Sequence, residues 1–437
     1  MPQALGGTTA ASRTRWMQLL LGLIAMMAIS SPQYVWALYT QHLTASLGAT
    51  LAEIQVTFSV LIVLQTFLSP LQGFLIDKFG PKRLLSVGAA LTGLSWIATA
   101  YVDSLWGLYL TYGMMGGIGT GIIYVGVVGM MVQWFPDYRG FATGVVAAGY
   151  GFGAVVTTLP ISRSLSSQGF EQTLILYGFI IGAVGILAAL GMRRPNGNGV
   201  PSKALAAAAA NPAVVETVRS FTSKEMLRNP IFWLLFLMMT MMSTTGLMVI
   251  SQMGAIARDF NVADALVFGL AALPLALTVD RITNGLTRPF FGWVSDKIGR
   301  ENTMFIAFSL EGAAITVWYF MAHDPFWFVV LSGVVFFGWG EIFSLFPSIL
   351  TDTFGTRHAT TNYGFLYMAQ GVGSILGGPM AAMLYASTGS WGAVFTVVVA
   401  MDIITAILAI AVLKPMRSRH LQANAVNNAV LAAAAPA

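Results

Sequence analysis

The sequence predicts an all-α integral membrane protein, with twelve transmembrane helices in two six-helix bundles related by a pseudo-two-fold axis. Three observations lead there. Of the 437 residues 56% are hydrophobic and only 9% charged, against about 25% charged in soluble domains. The apolar residues fall in runs of roughly 20 or more, the length a helix needs to cross about 30 Å of hydrocarbon. A pair of loop motifs also recurs in the second half at one fixed offset.

Apolar runs between polar breaks place the helices at 16–39, 51–76, 84–102, 106–133, 139–162 and 172–192, then 231–254, 264–294, 302–322, 325–350, 360–386 and 391–413. The first run is too long for a signal peptide and is followed by many more, so it reads as a retained span. The expected organisation is a cytoplasmic N-terminus (1–15), an N-terminal bundle (16–192), a cytoplasmic linker (193–230), a C-terminal bundle (231–413) and a cytoplasmic tail (414–437). The linker contains Asn196-Gly-Asn-Gly199 and an alanine run over 206–210. With the N-terminus inside, eighteen of the 22 Lys and Arg fall on cytoplasmic segments. Two, Arg163 and Arg258, fall outside, and two, Arg281 and Arg288, lie within a span. The positive-inside rule therefore sets both termini in the cytoplasm.

Other classes are excluded on the same grounds. Without cysteine there are no disulfides or thiolate sites, and the four His (His42, His323, His358 and His420) have no metal-ligand spacing. No metal or cofactor is implied. The net charge of +5 comes from short loops between apolar runs, which belongs to membrane topology and not to nucleic-acid binding.

The repeat is specific. Gly73-Phe-Leu-Ile-Asp77-Lys-Phe-Gly80-Pro-Lys82-Arg83 follows the second run, and Gly292-Trp-Val-Ser-Asp296-Lys-Ile-Gly299-Arg300 follows the eighth, with Gly73 and Gly292 219 residues apart. Phe135 in Trp134-Phe-Pro-Asp-Tyr-Arg139 and Phe354 in Thr353-Phe-Gly-Thr-Arg357 keep that same separation of 219. Parallel repeats of this kind put a substrate site near mid-membrane, where the halves meet. In each loop the glycines permit a tight turn. The Asp can meet a helix N-terminus or a basic partner, forming a latch that breaks when the halves rock.

Glycine-rich stretches around Gly116–Gly121, Gly149–Gly153 and Gly371–Gly378 lie inside apolar runs and follow no strand, so they read as helix-packing faces and not as phosphate loops. Charges inside spans are the informative minority, because each is costly in hydrocarbon. Asp280, Asn284 and Arg288 follow each other at four-residue intervals, along one helical face. A guanidinium matches a carboxylate bidentately, so Arg288 is the candidate anion ligand; a salt bridge to Asp280 or another buried acid is compatible with that. Arg281 pairs with a nearby acid or snorkels. Glu341 is a proton carrier, a partner of Arg288 or a structural acid. Glu311 and Asp402 read as packing or lipid-edge residues. Tyr34, Trp36, Tyr124, Tyr150, Trp339 and Tyr367 supply rings and hydroxyls suited either to a carboxylate cavity or to packing.

Taken together these segments resemble the major facilitator superfamily, and within it the bacterial oxalate:formate antiporter family, relatives of the monocarboxylate transporters. The resemblance runs from Pro32-Gln-Tyr34-Val-Trp36 through Gly140-Phe-Ala-Thr-Gly144, Ala147-Ala-Gly-Tyr150 and Arg288-Pro-Phe-Phe-Gly292. It continues to Trp339-Gly-Glu-Ile-Phe-Ser-Leu-Phe-Pro347 and Asn362-Tyr-Gly-Phe365. It implies the major facilitator fold, Arg288 as carboxylate ligand, and an aromatic cage of Tyr34, Tyr124, Tyr150 and Trp339. The oxalate-transporting pattern has a lysine in the eleventh helix, where this chain has Gln370. One arginine facing a neutral amide suits a monoanion, or an anion accompanied by a proton. The expected function is alternating-access transport of small carboxylates such as formate, lactate or pyruvate, by proton coupling or anion exchange, with oxalate:formate-type exchange also open. The expected substrate set is Arg288, Asn284, Tyr34, Tyr124, Tyr150, Trp339, Tyr367 and Gln370. Glu341 and Asp280 are expected as proton-coupling or charge partners, and the latch loops as Gly73, Asp77, Gly80, Lys82, Gly292, Asp296, Gly299 and Arg300. The chain is expected to be a monomer in the bacterial inner membrane, not an enzyme. The alternatives are an exporter of uncharged or amphiphilic compounds and, from another class, a transporter-like sensor.

Overall fold

The computed structural model describes residues 3–196, 199–217 and 219–434. Gly197 and Asn198 of the linker turn, and the extreme ends of the two expected terminal segments, lie outside the described residues. The chain packs as two compact units.

The first unit comprises Met1–Pro136, Val145–Leu205 and Ala359–Met368. Its first helix, Gln3–Ala28, stops before the expected end at 39 and gives way to short turns at Ser31–Tyr34, Trp36–Leu38 and Thr40–Leu47. Pro32 is the cause: it lacks an N–H, and its ring clashes with the preceding turn. The second span starts on a capping box, Thr50 with Glu53, and bends by 49° between Leu51–Phe67 and Ser69–Phe79, just ahead of Pro70. Gly80, at φ 88°, turns the chain into Pro81–Thr99, a conformation only glycine adopts freely. The fourth span runs from Leu105 through a π-helical turn, Tyr109–Met115, to Trp134. Arg139–Gln168 and Phe170–Gly191 complete the six. Trp36, Tyr39, Trp96 and Tyr112 lie at the centre of a buried aromatic core. The glycine-rich fourth span packs closely on the third: a Cβ at Gly119 would come within 2.7 Å of the Gly88 carbonyl.

The second unit comprises Asp137–Gly144, Ala206–His358 and Ala369–Ala437. The side chain of Asn229 caps Pro230–Asp259. The eighth span begins later than the expected 264. Leu266–Val267 and Leu270–Ala271 pair as a two-stranded hairpin turned by Phe268 (φ 52°) and Gly269 (φ 78°), and the helix is Ala272–Ile298. Arg300–Met321 follows, then a tenth span broken at Gly340-Glu341 into Pro325–Trp339 and Ile342–Phe354. The eleventh helix, Ala359–Thr388, contributes its first ten residues to the first unit; Trp391–Leu408 runs on into the tail helix.

A helix stands at every one of the twelve expected spans. Eight are long and apolar enough to cross a membrane, and the bent second span makes nine among the described residues. The other three, Pro81–Thr99, Ala272–Ile298 and Ala359–Thr388, are more polar; the eighth carries Asp280, Arg281 and Arg288 along its length. Charge inside a span signals function before it signals topology.

Candidate functional site

In the second unit Arg288 is 2% exposed, one residue before Pro289 in the eighth span. Its Nη2 donates to Asn284 Oδ1 at 2.7 Å, and the guanidinium carbon sits 4.4 Å from the centre of the Phe343 ring. The four-residue spacing therefore places the amide against the cation as expected. Asp280 is buried one turn further on, near Ser332 and Arg281. The eighth span is pressed onto the break in the tenth: a Cβ at Gly340 would meet the Asn284 carbonyl at 2.5 Å. It is pressed equally onto the fifth, where a Cβ at Gly144 would collide with the Arg288 carbonyl. The Arg288 backbone is thus fixed on two sides.

Glu341 follows the Gly340 break and is wholly buried. It lies within electrostatic reach of Arg288. Glu311 and Asp402 are also buried, at 1% and 0% exposure. The lipid-edge reading of these two is thereby corrected, because both project inward from the ninth and twelfth spans. Glu311 lies within electrostatic reach of both Asp402 and Glu341. The side-chain oxygens of Glu311 and Glu341 have no hydrogen-bond partner among the described residues, which makes both costly to bury.

The first unit gathers the tyrosines. Tyr124 stacks on Tyr367 at 4.7 Å between centroids and meets Tyr150 edge-on at 5.3 Å; Tyr34 packs against Tyr150 at 5.6 Å. The Tyr150 hydroxyl donates to Gln33 Oε1 at 2.6 Å. Gln65 Nε2 donates to the hydroxyls of both Tyr150 (3.4 Å) and Tyr367 (3.3 Å). Gln65, Gln33 and Tyr363, which packs on Tyr367, belong to this cluster and were not singled out from sequence. Gln65 is one of three amides in the second run, with Gln55 and Gln72, so its sequence signal was weak. Trp339 lies in the other unit and donates its indole N–H to the Met242 carbonyl at 2.8 Å, so it offers a wall and no free donor. Gln370, half-buried, leaves its side-chain carbonyl without a described donor.

The two repeated loops do the same work. Asp77 accepts from the backbone N–H and hydroxyl of Thr361 at the start of the eleventh helix, and from Arg194 at 2.7 Å. Asp296 accepts from the N–H groups of Gly140 (3.0 Å) and Phe141 (2.9 Å) at the start of the fifth helix, and from Arg300 at 2.5 Å. Each aspartate meets a helix N-terminus and an arginine together. Gly73 and Gly292 allow the close approach: a Cβ at Gly73 would fall 2.6 Å from the Thr360 carbonyl, and one at Gly292 would strike Gly140. Gly80 and Gly299 hold φ of 88° and 93°. Asp352 joins this second set, bridging Arg139 (2.5 Å) and Arg300 (2.8 Å), and linker residue Glu216 reaches Arg139 at 2.6 Å. Burial pushes the Glu216 carboxyl up, and Arg139 opposes the shift. Lys82 is exposed and has no such partner, so the loops match in their acids and not in their cations.

Residues 19–279 and 238–432 match the Major Facilitator Superfamily. The chain is 33% identical to the oxalate:formate antiporter of Oxalobacter formigenes, over 94% of each chain. It is 25% identical to monocarboxylate transporter 13 of Bos taurus, covering 78% of this chain and 75% of that one. Among solved structures, the proton:xylose symporter XylE bound to 6-bromo-6-deoxy-D-glucose superposes with a TM-score of 0.69. That match covers 92% of this chain and 96% of the other at 12% identity, which is a likeness of fold alone. The chain belongs to the major facilitator superfamily and, within it, to the family of the oxalate:formate antiporter, and it is therefore a membrane transporter and not an enzyme.

Proposed function

We propose that the chain carries small carboxylates across the bacterial cytoplasmic membrane by alternating access, as a monomer with both termini in the cytoplasm, and that Arg288 is the carboxylate ligand. The observation that carries this reading is a buried guanidinium inside a span, oriented by Asn284 and held over the Phe343 ring. A fixed cation in hydrocarbon favours an entering anion strongly, and its planar fork selects a carboxylate. The names of the two curated relatives, an oxalate:formate antiporter and a monocarboxylate transporter, agree with that chemistry. Within the first unit, the hydroxyls and rings of Tyr34, Tyr124, Tyr150 and Tyr367 form a cluster whose chemistry also suits a carboxylate. Gln370 is neutral where a dianion calls for a second cation, so monoanions are the favoured substrates. The loops built on Asp77 and Asp296 are the latches that open as the carrier turns over.

The test is uptake of labelled formate, oxalate, lactate and pyruvate into proteoliposomes, with and without a pH gradient or an internal counter-anion. Arg288→Ala and Arg288→Lys are expected to lose about a hundredfold in uptake, the value of a bidentate charged pair. Normal uptake by both variants would sink the proposal. Stimulation by the pH gradient alone identifies proton coupling, and dependence on internal anion identifies exchange.

A further inference from the structure

Away from these residues, the middle of Gln3–Ala28, the start of Pro81–Thr99 and the end of Phe170–Gly191 flank an open recess of about 630 Å³. Arg13, Lys82 and Arg193 line it, one from each helix or its end, and no aspartate or glutamate does. Among the described residues none of the three side chains forms an ion pair. The neighbouring Arg194 is a contrast, consumed by the Asp77 carboxylate and the Ile76 carbonyl.

Arg193 is also placed with care. Its N–H donates to Gln18 Oε1 at 2.9 Å, and its carbonyl accepts from Trp134 Nε1 at 2.8 Å. Gln18 is nearly buried and spends its own amide on the Gly191 carbonyl at 2.9 Å. Three cations converging without an acid repel one another unless an anion sits among them. The positive-inside bias explains their sign but not their convergence on one hollow.

Besides Thr14 and Gln18, the rest of the lining is apolar: Met17 and Leu190, each 47% exposed, lie with Leu21 and Met192. A soluble anion gains nothing from such a flank, whereas acyl chains do. Basic pockets between transmembrane helices on the cytoplasmic side suit anionic headgroups.

We propose that this recess binds the phosphate-bearing headgroup of an anionic phospholipid, with its acyl chains against Met17, Leu21 and Leu190. The test uses the full chain in nanodiscs of phosphatidylcholine containing phosphatidylglycerol, followed by delipidation and native mass spectrometry. Wild type is expected to retain phosphatidylglycerol, and each of Arg13→Gln, Lys82→Gln and Arg193→Gln to lower retention about fivefold. Lys203→Gln/Lys224→Gln, on the exposed linker, should leave it unchanged. Met17→Ser keeps every charge and should weaken lipid retention alone, which guards against a charge variant that fails to fold. Equal retention by wild type and the three charge variants overturns the proposal. So does displacement of the lipid by equimolar glycerol-1-phosphate, which would make the site one for a soluble phosphate.

Discussion

The Asp77 carboxylate accepts two hydrogen bonds from Thr361, one from its backbone N–H at 2.9 Å and one from its hydroxyl at 2.6 Å. Asp296 repeats the device on Gly140 and Phe141. A carboxylate on a helix N-terminus combines charged hydrogen bonds with the favourable end of the helix dipole.

Asp77→Asn and Asp296→Asn keep the side-chain size and remove the charge. Each charged hydrogen bond is worth about 1.5–3 kcal/mol, so the helix starts are expected to open more often. The absence of cysteine makes this directly measurable. A cysteine placed at buried Ala142 should react with a maleimide about tenfold faster in the Asp296→Asn background. An unchanged rate means that Asp296 is not a latch.

Gly144→Ala inserts a methyl group into the Arg288 carbonyl. The backbone must shift, at a cost of about 1–3 kcal/mol. The melting temperature should fall, and carboxylate uptake should fall by more than Arg288-independent stability loss explains. Gly151→Ala, where an added Cβ meets nothing within 4 Å, is the matched control. Equal effects of the two changes would detach Gly144 from Arg288.

Glu341→Gln, Glu311→Gln and Asp402→Asn each replace a buried acid by a neutral amide. If Glu341 carries the coupled proton, its variant keeps anion exchange and loses uptake driven by a pH gradient. Persistence of both activities removes Glu341 from coupling. Persistence in the Glu311 and Asp402 variants, with loss only at position 341, assigns the proton to Glu341 alone.

Gln65→Leu removes the amide that joins the hydroxyls of Tyr150 and Tyr367. The expected result is a raised KM for carboxylates, by about three- to tenfold, with the fold intact, because one neutral hydrogen bond is worth about 0.5–1.5 kcal/mol. An unaltered KM would leave the tyrosines as packing.

In the linker, the Thr222 N–H and hydroxyl hold the Glu225 carboxyl below its usual range. A lowered acid contributes stability that is present above its unfolded value and lost as pH falls through the folded one. Amides of Ser223–Leu227 should therefore exchange faster below about pH 4.5, and Thr222→Ala should produce the same loosening at neutral pH, about 1 kcal/mol. Identical protection in the two proteins would contradict the cap.

Much of this molecule is legible in its sequence, for identifiable reasons. Span length and charge placement report the hydrocarbon directly, so a helix stands at each of the twelve apolar runs even where its ends differ. Asp77 and Asp296 are found by repetition, and Arg288 by the rarity of charge inside a span. The failures are local or tertiary. Pro32 ends the first helix early, which the apolar run over 16–39 hides. The hairpin at 266–271 depends on Phe268 and Gly269 adopting positive φ, a conformation hydropathy does not encode. Glu311 and Asp402 stay open between packing and lipid-edge roles because sequence does not tell which face of the ninth or twelfth helix turns inward. Gln65 passes unnoticed because an uncharged amide barely alters a hydropathy profile.

Arg288, Gly292 and Asp296 follow one another at four-residue steps on a single helix. The buried cation, the glycine seated on the fifth helix and the capping carboxylate thus occupy one stripe about 12 Å long. The stripe behaves as a rod whose phase matters more than its composition. Adding one residue between 288 and 296 rotates one end against the other by about 100°, leaving both ends chemically whole and out of step. In such a chain a movement of the Arg288 end would reach the fifth helix out of phase.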